Sequence, residues 1–148
     1  MTPRPAPKMP AHIHHIATGV PEFAYSQQLA CRRMMGWARS ARTRRIIDVI
    51  YDRSGIDKRH SVCGDFQHEA GGPLFVTLPD GSLVPPGTAE RNALYARASR
   101  ELSVRLARRA LEECGGFSKD DVTHVIFASC TGFACPGPDY HIVRELGL

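Results

Sequence analysis

The chain has 148 residues, 43% of them hydrophobic and 23% charged, with a net charge of +4, a balance that excludes a disordered or fibrous protein. No apolar run approaches the roughly 20 residues that cross a bilayer, and the Pro-rich start lacks the apolar stretch of about 7–15 residues found in a signal peptide. Five cysteines, odd in number and irregular in spacing, argue against a secreted disulfide scaffold, so the expected location is the cytoplasm.

The charge is uneven, because residues 1–60 carry 11 Lys/Arg against 4 Asp/Glu while residues 61–148 carry 8 against 11. A basic half suits an anionic partner. Nucleic acid is not supported, since no aromatic residues interleave the arginines and no zinc-finger or helix-turn-helix signature occurs. Phosphate on a small ligand fits better. For most of Arg32, Arg33, Arg39, Arg42, Arg44 and Arg45 the plainer reading is a solvated helix face.

In chain order, residues 1–11 read as a disordered tail, and residues 12–148 as one partial domain. Residues 12–21 have a short strand's mix of branched side chains, closed by Gly19 and Pro21. Ser26 caps a helix through about residue 35 and Ser40 a second one through Asp52, with Ile46, Ile47, Val49 and Ile50 on one apolar side. A short strand is expected within residues 56–62. Residues 63–87 are rich in Gly and Pro and read as a long loop with a hairpin at 75–84. The strongest helix runs from Thr88, taken as its N-cap, to Cys114, with Leu94, Ala98, Leu102, Leu106 and Ala110 in a stripe. Residues 124–128 form a nearly continuous apolar run, the pattern of a strand buried on both faces, and Asp139 is expected to cap a last helix over 140–146. This alternation of strands and helices predicts an α/β layer fold with right-handed crossovers. The chain ends on Leu148 where another strand is expected, which reads as a piece of a larger fold with an open, poorly soluble sheet edge.

Cys130 and Cys135 are candidate nucleophiles, since a thiolate attacks acyl groups when its pKa is lowered. Asp139 near Cys135 works against such lowering. His124 stands at the far end of the strand from Cys130, roughly 20 Å away if extended. A packing role for both thiols is therefore favoured. His12, His14 and His15 lack acidic or thiol companions, and Cys130 and Cys135 lack the spacing of a zinc hook, so no metal is expected. The basic stretch 53–60 serves phosphate binding or favourable placement of cations at a helix end equally well.

Several stretches together resemble the chalcone synthase-like type III polyketide synthases, which have the thiolase fold. They are residues 13–21, residues 54–60, the helix opening Glu90-Arg91-Asn92-Ala93-Leu94-Tyr95, the loop Thr131-Gly132-Phe133 with Pro136-Gly137-Pro138-Asp139-Tyr140, and Leu146-Gly147-Leu148. The Cys-Thr-Gly-Phe wording is most similar to bacterial alkylpyrone and alkylresorcinol synthases. The resemblance implies an incomplete N-terminal half of a thiolase-like αβαβα fold. It also implies decarboxylative Claisen condensation of an acyl-CoA starter with malonyl-CoA in a cytoplasmic homodimer, with no cofactor, metal, nucleic acid or membrane span.

The family's nucleophilic cysteine lies some 25–30 residues beyond Leu148 and its His and Asn lie further on, so no catalytic residue is expected here and residues 1–148 alone should be inactive. By resemblance, Arg53 contacts the CoA phosphates, although two companion basic positions are Val49 and Ile46 here, which leaves the clamp to differ or to use Arg45 or Arg42. Cys130, Thr131 and Gly132 line the starter pocket. Phe133, Cys135, Pro136 and Gly137 form the loop at the dimer interface and cavity, with Cys135 reaching the neighbour's cavity. Two other readings remain open: a short non-catalytic paralogue pairing with a full-length synthase, and a relative of β-ketoacyl-ACP synthase III.

Overall fold

The computed structural model describes residues 10–68 and 71–148; of the tail expected over 1–11, residues 1–9 lie outside them. The elements in order are strand β1 (Phe23–Ser26), helices α1 (Gln27–Trp37) and α2 (Ala41–Asp52), strand β2 (Lys58–Ser61), strands β3 (Val76–Thr77) and β4 (Leu83–Val84), the long helix α3 (Thr88–Glu113) and helix α4 (Pro138–Leu146). Single 3-10 turns occupy Asp65–Gln67 and Lys119–Asp121.

The first half is a helical hairpin closed by a small ribbon. Ser26 Oγ accepts from the Leu29 amide at 3.1 Å and Ser40 Oγ from the Thr43 amide at 3.0 Å, so both helices start where a side-chain oxygen satisfies an orphan donor. β1 pairs antiparallel with β2, with Phe23 opposite Ser61 and Ser26 opposite Lys58. Gln27 ties the unit together from a buried position. Its amide nitrogen donates to Ser54 Oγ at 2.7 Å and to the Tyr51 carbonyl at 3.1 Å, and its side-chain oxygen accepts from Arg59 Nε at 2.6 Å. The Arg59 guanidinium then sits 5.0 Å over the Tyr51 ring, a cation–π contact.

Buried Asp65 organises the loop that follows. Its Oδ2 accepts from the amides of Leu74 at 2.7 Å and Phe75 at 2.6 Å, which folds the Gly-rich chain back on itself. Phe75 thereby stacks on Trp37 with centroids 5.6 Å apart, and Phe66 lies against Tyr25, Trp37 and Phe75 at 5.5–5.7 Å. Tyr25 donates its hydroxyl to the Cys63 carbonyl at 2.7 Å. β3 and β4 pair as the expected hairpin, Val76 opposite Val84.

α3 is the axis of the second half. α4 packs along it with Val104 and Ile142 buried between them, and an ion pair of 2.7 Å joins Arg100 to Glu145. Residues 12–20 run beside its other end. There Arg109 donates to the Thr18 carbonyl at 3.1 Å, His15 meets Glu113 at 3.1 Å and His14 packs on Phe117 with centroids 4.4 Å apart. Gly147, at φ +67° and ψ +41°, closes α4 in the left-handed region, which glycine enters without a Cβ clash.

Four local expectations need correction. Residues 12–21 and 124–128 pair with no strand among the described residues, and Ile126, expected in a strand buried on both faces, is 90% exposed. Their apolar pattern is that of strands, but a strand forms only where another edge accepts its backbone groups. Both sheets present are antiparallel pairs, so the expected crossovers do not occur among the described residues. α3 is capped at Gly87, whose amide donates to Glu90 Oε2 at 2.7 Å, and Thr88 is already helical. α4 is capped at Gly137 with Pro138 in its first turn, two residues earlier than the expected Asp139 cap; Pro suits that position because its missing N–H would have no partner there.

Replacing Asp65 by Ala strands two amide donors beneath the aromatic cluster and should cost about 3 kcal/mol of stability, whereas Asp65→Asn, which retains an acceptor, should cost about 1 kcal/mol. Urea titration of the three proteins checks the order. Burial pushes the Cys63 thiol up against a lowering hydrogen bond from the Asp65 amide, and burial likewise raises the Tyr25 hydroxyl. Both are held neutral in the fold, so the unfolded chain ionises first and their stabilising contribution, complete below the ordinary thiol value of 9.0, declines as pH rises through it. Melting temperatures measured from neutral to strongly alkaline pH should fall, and Cys63→Ala should flatten the first part of the decline.

Candidate functional site

The loop from Cys130 to Gly137 joins the apolar run to α4, and α3 holds it in place. The Phe133 amide donates to Asn92 Oδ1 at 3.1 Å, and the Thr131 amide to Ser129 Oγ at 3.3 Å. Gly132 lies so close to the Tyr95 ring that a Cβ would stand 2.6 Å from two of its carbons and 3.1 Å from Asn92 Oδ1. Only glycine allows that approach. The first turns of α3 and the loop, some forty residues apart in sequence, therefore form one corner of the molecule.

At this corner Cys130, Thr131, Phe133, Cys135 and Pro136 are exposed, with Phe133 77% exposed. The Cys130 thiol has the Thr131 hydroxyl 3.9 Å away, and both Cys130 and Cys135 are free thiols. Among the described residues no imidazole is hydrogen-bonded to either sulfur, and His124 bonds instead to the Thr123 hydroxyl at 2.9 Å. Nothing in this arrangement activates a thiolate. What the corner offers is shape: small side chains and a glycine on a backbone fixed by Asn92, from which Phe133 projects outward. The Cys135–Pro136 peptide is cis.

Arg53 stands apart from the loop. It is the exposed C-cap of α2, its amide bonded to the Val49 carbonyl at 3.0 Å. Among the described residues no hydrogen bond or ion pair connects its guanidinium to the loop residues. A cleft of about 490 Å³ lies between α1 and α2, lined among others by Cys31, Met35, Asp48 and Tyr51, and includes none of the predicted site residues. Among the described residues no group of three potential ligands is placed to hold a metal ion, and no helix is long and apolar enough to cross a membrane.

Asn92 and Tyr95 were legible in sequence only as part of a helix opening, not as the loop's anchors. The available signal was Asn92 itself, a residue that disfavours helix interiors because its side chain competes for backbone groups. Here it bonds to backbone, but that of a distant loop.

Comparison with known proteins places these features. The sequence profile described as "Chalcone and stilbene synthases, N-terminal domain" matches residues 4–148. A phloroglucinol synthase of Pseudomonas fluorescens is 36% identical over 74 residues, 49% of this chain and 21% of that relative. The alpha-pyrone synthesis polyketide synthase-like Pks18 of Mycobacterium tuberculosis is 28% identical over 146 residues, 99% of this chain and 35% of that relative. Among solved structures, the C-terminal type III polyketide synthase domain of Steely1, a type I/III hybrid from Dictyostelium, superposes with a TM-score of 0.68 at 22% identity, over 92% of this chain and 35% of that one. This chain thus spans about a third or less of the length of these relatives, and its mixed α/β fold is the one found in the corresponding part of a type III polyketide synthase domain. The match over nearly the whole sequence, with the two motifs of the α3 corner inside it, makes the chain a member of the chalcone and stilbene synthase N-terminal domain family.

Proposed function

We propose that this domain serves a type III polyketide synthase that condenses an acyl-CoA starter with malonyl-CoA by decarboxylative Claisen chemistry, working as a cytoplasmic homodimer. The observation that carries the reading is the α3 corner, where Asn92 and Tyr95 clamp Gly132 and Phe133. A fixed, small-residue loop is what a pocket wall requires, because binding geometry must be held by the scaffold before substrate arrives. Relatives named for making phloroglucinol, 3,5-dihydroxyphenylacetyl-CoA and alpha-pyrones support the reaction class, and the loop wording favours alkylpyrone or alkylresorcinol products.

In this reading Cys130, Thr131 and Gly132 leave room for the starter's acyl chain, and Arg53 supplies a cation for CoA phosphate. Phe133, Cys135, Pro136 and Gly137 form the wall shared with a second subunit, which accounts for the outward projection of Phe133 on a fixed backbone. No group within residues 1–148 acts on the thioester itself, so turnover is expected of the complete synthase alone.

The complete protein, supplied with malonyl-CoA and a series of acyl-CoA starters, should release coenzyme A and CO2 and form cyclised products detectable by mass spectrometry. Absence of malonyl-CoA decarboxylation with every starter would count against the reading. Cys135 is small and exposed, so Cys135→Trp should narrow the shared cavity and shift the accepted starters toward shorter chains. An unchanged product profile would remove Cys135 from the cavity wall.

A further inference from the structure

The loop at the α3 corner is held through one peptide plane. Asn92 Oδ1 accepts the Phe133 amide at 3.1 Å, and among the described residues every other hydrogen bond of residues 129–136 is local, such as that of the Thr131 amide to Ser129 Oγ. Because the Gly132–Phe133 peptide is trans, its N–H and C=O lie on opposite sides, so turning the Phe133 amide toward α3 turns the Gly132 carbonyl away from it. That orientation needs a restraint. Glycine rotates about its backbone bonds more freely than any other residue, and a larger residue at 132 would bring a Cβ to 2.6 Å from two carbons of the Tyr95 ring. The close approach to Tyr95 thus demands the residue that leaves the peptide plane least determined, and Asn92 supplies the determination.

Asn92 is unfavourable for the helix that bears it. It lies in the second turn of the 26-residue α3, where Ala or Leu forms helix better because an Asn side chain competes for backbone groups. Among the described residues its carbonyl oxygen bonds to nothing in α3 and serves only the distant loop. We propose that Asn92 is a positioning residue that sets the choice of starter. By fixing the Gly132–Phe133 peptide it holds Cys130, Thr131 and Gly132 in one wall shape, which selects among acyl chains of different length. The inference rests on the acyl-CoA reading above and names the device behind its substrate preference. A wall that cannot shift discriminates a methylene more or less by roughly tenfold or more in kcat/KM. A wall whose peptide plane turns freely adapts to either chain.

The test uses the complete protein, malonyl-CoA and a starter series from butanoyl-CoA to palmitoyl-CoA. Asn92→Ala should lower the kcat/KM ratio between the best starter and the next longer one by about tenfold, while malonyl-CoA decarboxylation without a starter stays within about twofold. Its melting temperature should change little, because Ala strengthens the helix while the loop loses its bond. A merely structural role predicts the reverse, a lower melting temperature with an unchanged ratio. Asn92→Asp retains an acceptor oxygen and should restore the ratio, and exchange of the Phe133 amide should quicken in Asn92→Ala but not in Asn92→Asp. An unchanged ratio or unchanged Phe133 exchange in Asn92→Ala overturns the proposal, as does a lowered ratio that Asn92→Asp fails to restore. If no starter is turned over, the condensing reading fails, and calorimetric affinities for the same acyl-CoA series decide the proposal: a chain-length preference flattened in Asn92→Ala supports it, and a preference unaltered or absent overturns it.

Discussion

The contact of Gly132 and Phe133 with Asn92 and Tyr95 is the constraint on which the functional corner depends. A loop rich in small residues has little enthalpy of its own to hold a conformation, and each backbone residue fixed costs about 1–2 kcal/mol of entropy. One side-chain carbonyl on a 26-residue helix offsets part of that cost by accepting the Phe133 amide, and the Tyr95 ring closes over the glycine. α3 can do this because it is the longest rigid element present and is braced along its length by α4 and by residues 12–20. The loop borrows its order from the helix.

The same division of labour governs the first half. α1 and α2 are short helices that bury few side chains completely, so apolar packing alone does not set their geometry. Polar groups with several partners complete it. Gln27 joins the Tyr51–Ser54 end of α2 to β2 through Arg59, and Asp65 turns the glycine-rich loop under the aromatic cluster. Each is buried and hydrogen-bonded at the expected groups, the condition under which buried polarity is tolerated and confers specificity. These ties also decide which side of α2 faces α1 and which is left outward.

Local signals in the sequence were read well where the physics is local. Ser26 and Ser40 announced their helices because the capping oxygen lies within three residues of the amide it serves, and the hairpin of β3 and β4 followed from its turn residues. Pairing between β1 and β2 was not legible, since Phe23 and Ser61 meet only after two helices have folded between them. Asp65 was missed for the same reason: nothing in its neighbourhood distinguishes it from a surface carboxylate, and its partners Leu74 and Phe75 lie across a loop. The caps at Gly87 and Gly137 were misplaced by one or two positions because Thr88 and Asp139 carry stronger propensity, whereas Glu90 and Pro138 shifted the balance. At the candidate site, the loop residues were named from their resemblance to a family, but the contact that positions them was not.

The apolar runs at residues 12–21 and 124–128 show what sequence pattern means physically. Ile13, Ile16, Val20 and Ile126 have the composition of sheet strands, yet composition supplies only half of a strand, because each backbone N–H and C=O also needs a partner edge. Their exposure marks positions where the sequence demands contacts that the described residues do not provide. α2 has apolar exposure of another kind: its aliphatic residues are interleaved with arginines, whereas those of residues 124–128 are adjacent to one another. Uniform greasiness is relieved only by burial, whereas arginines set among aliphatic residues keep the face of α2 hydrated.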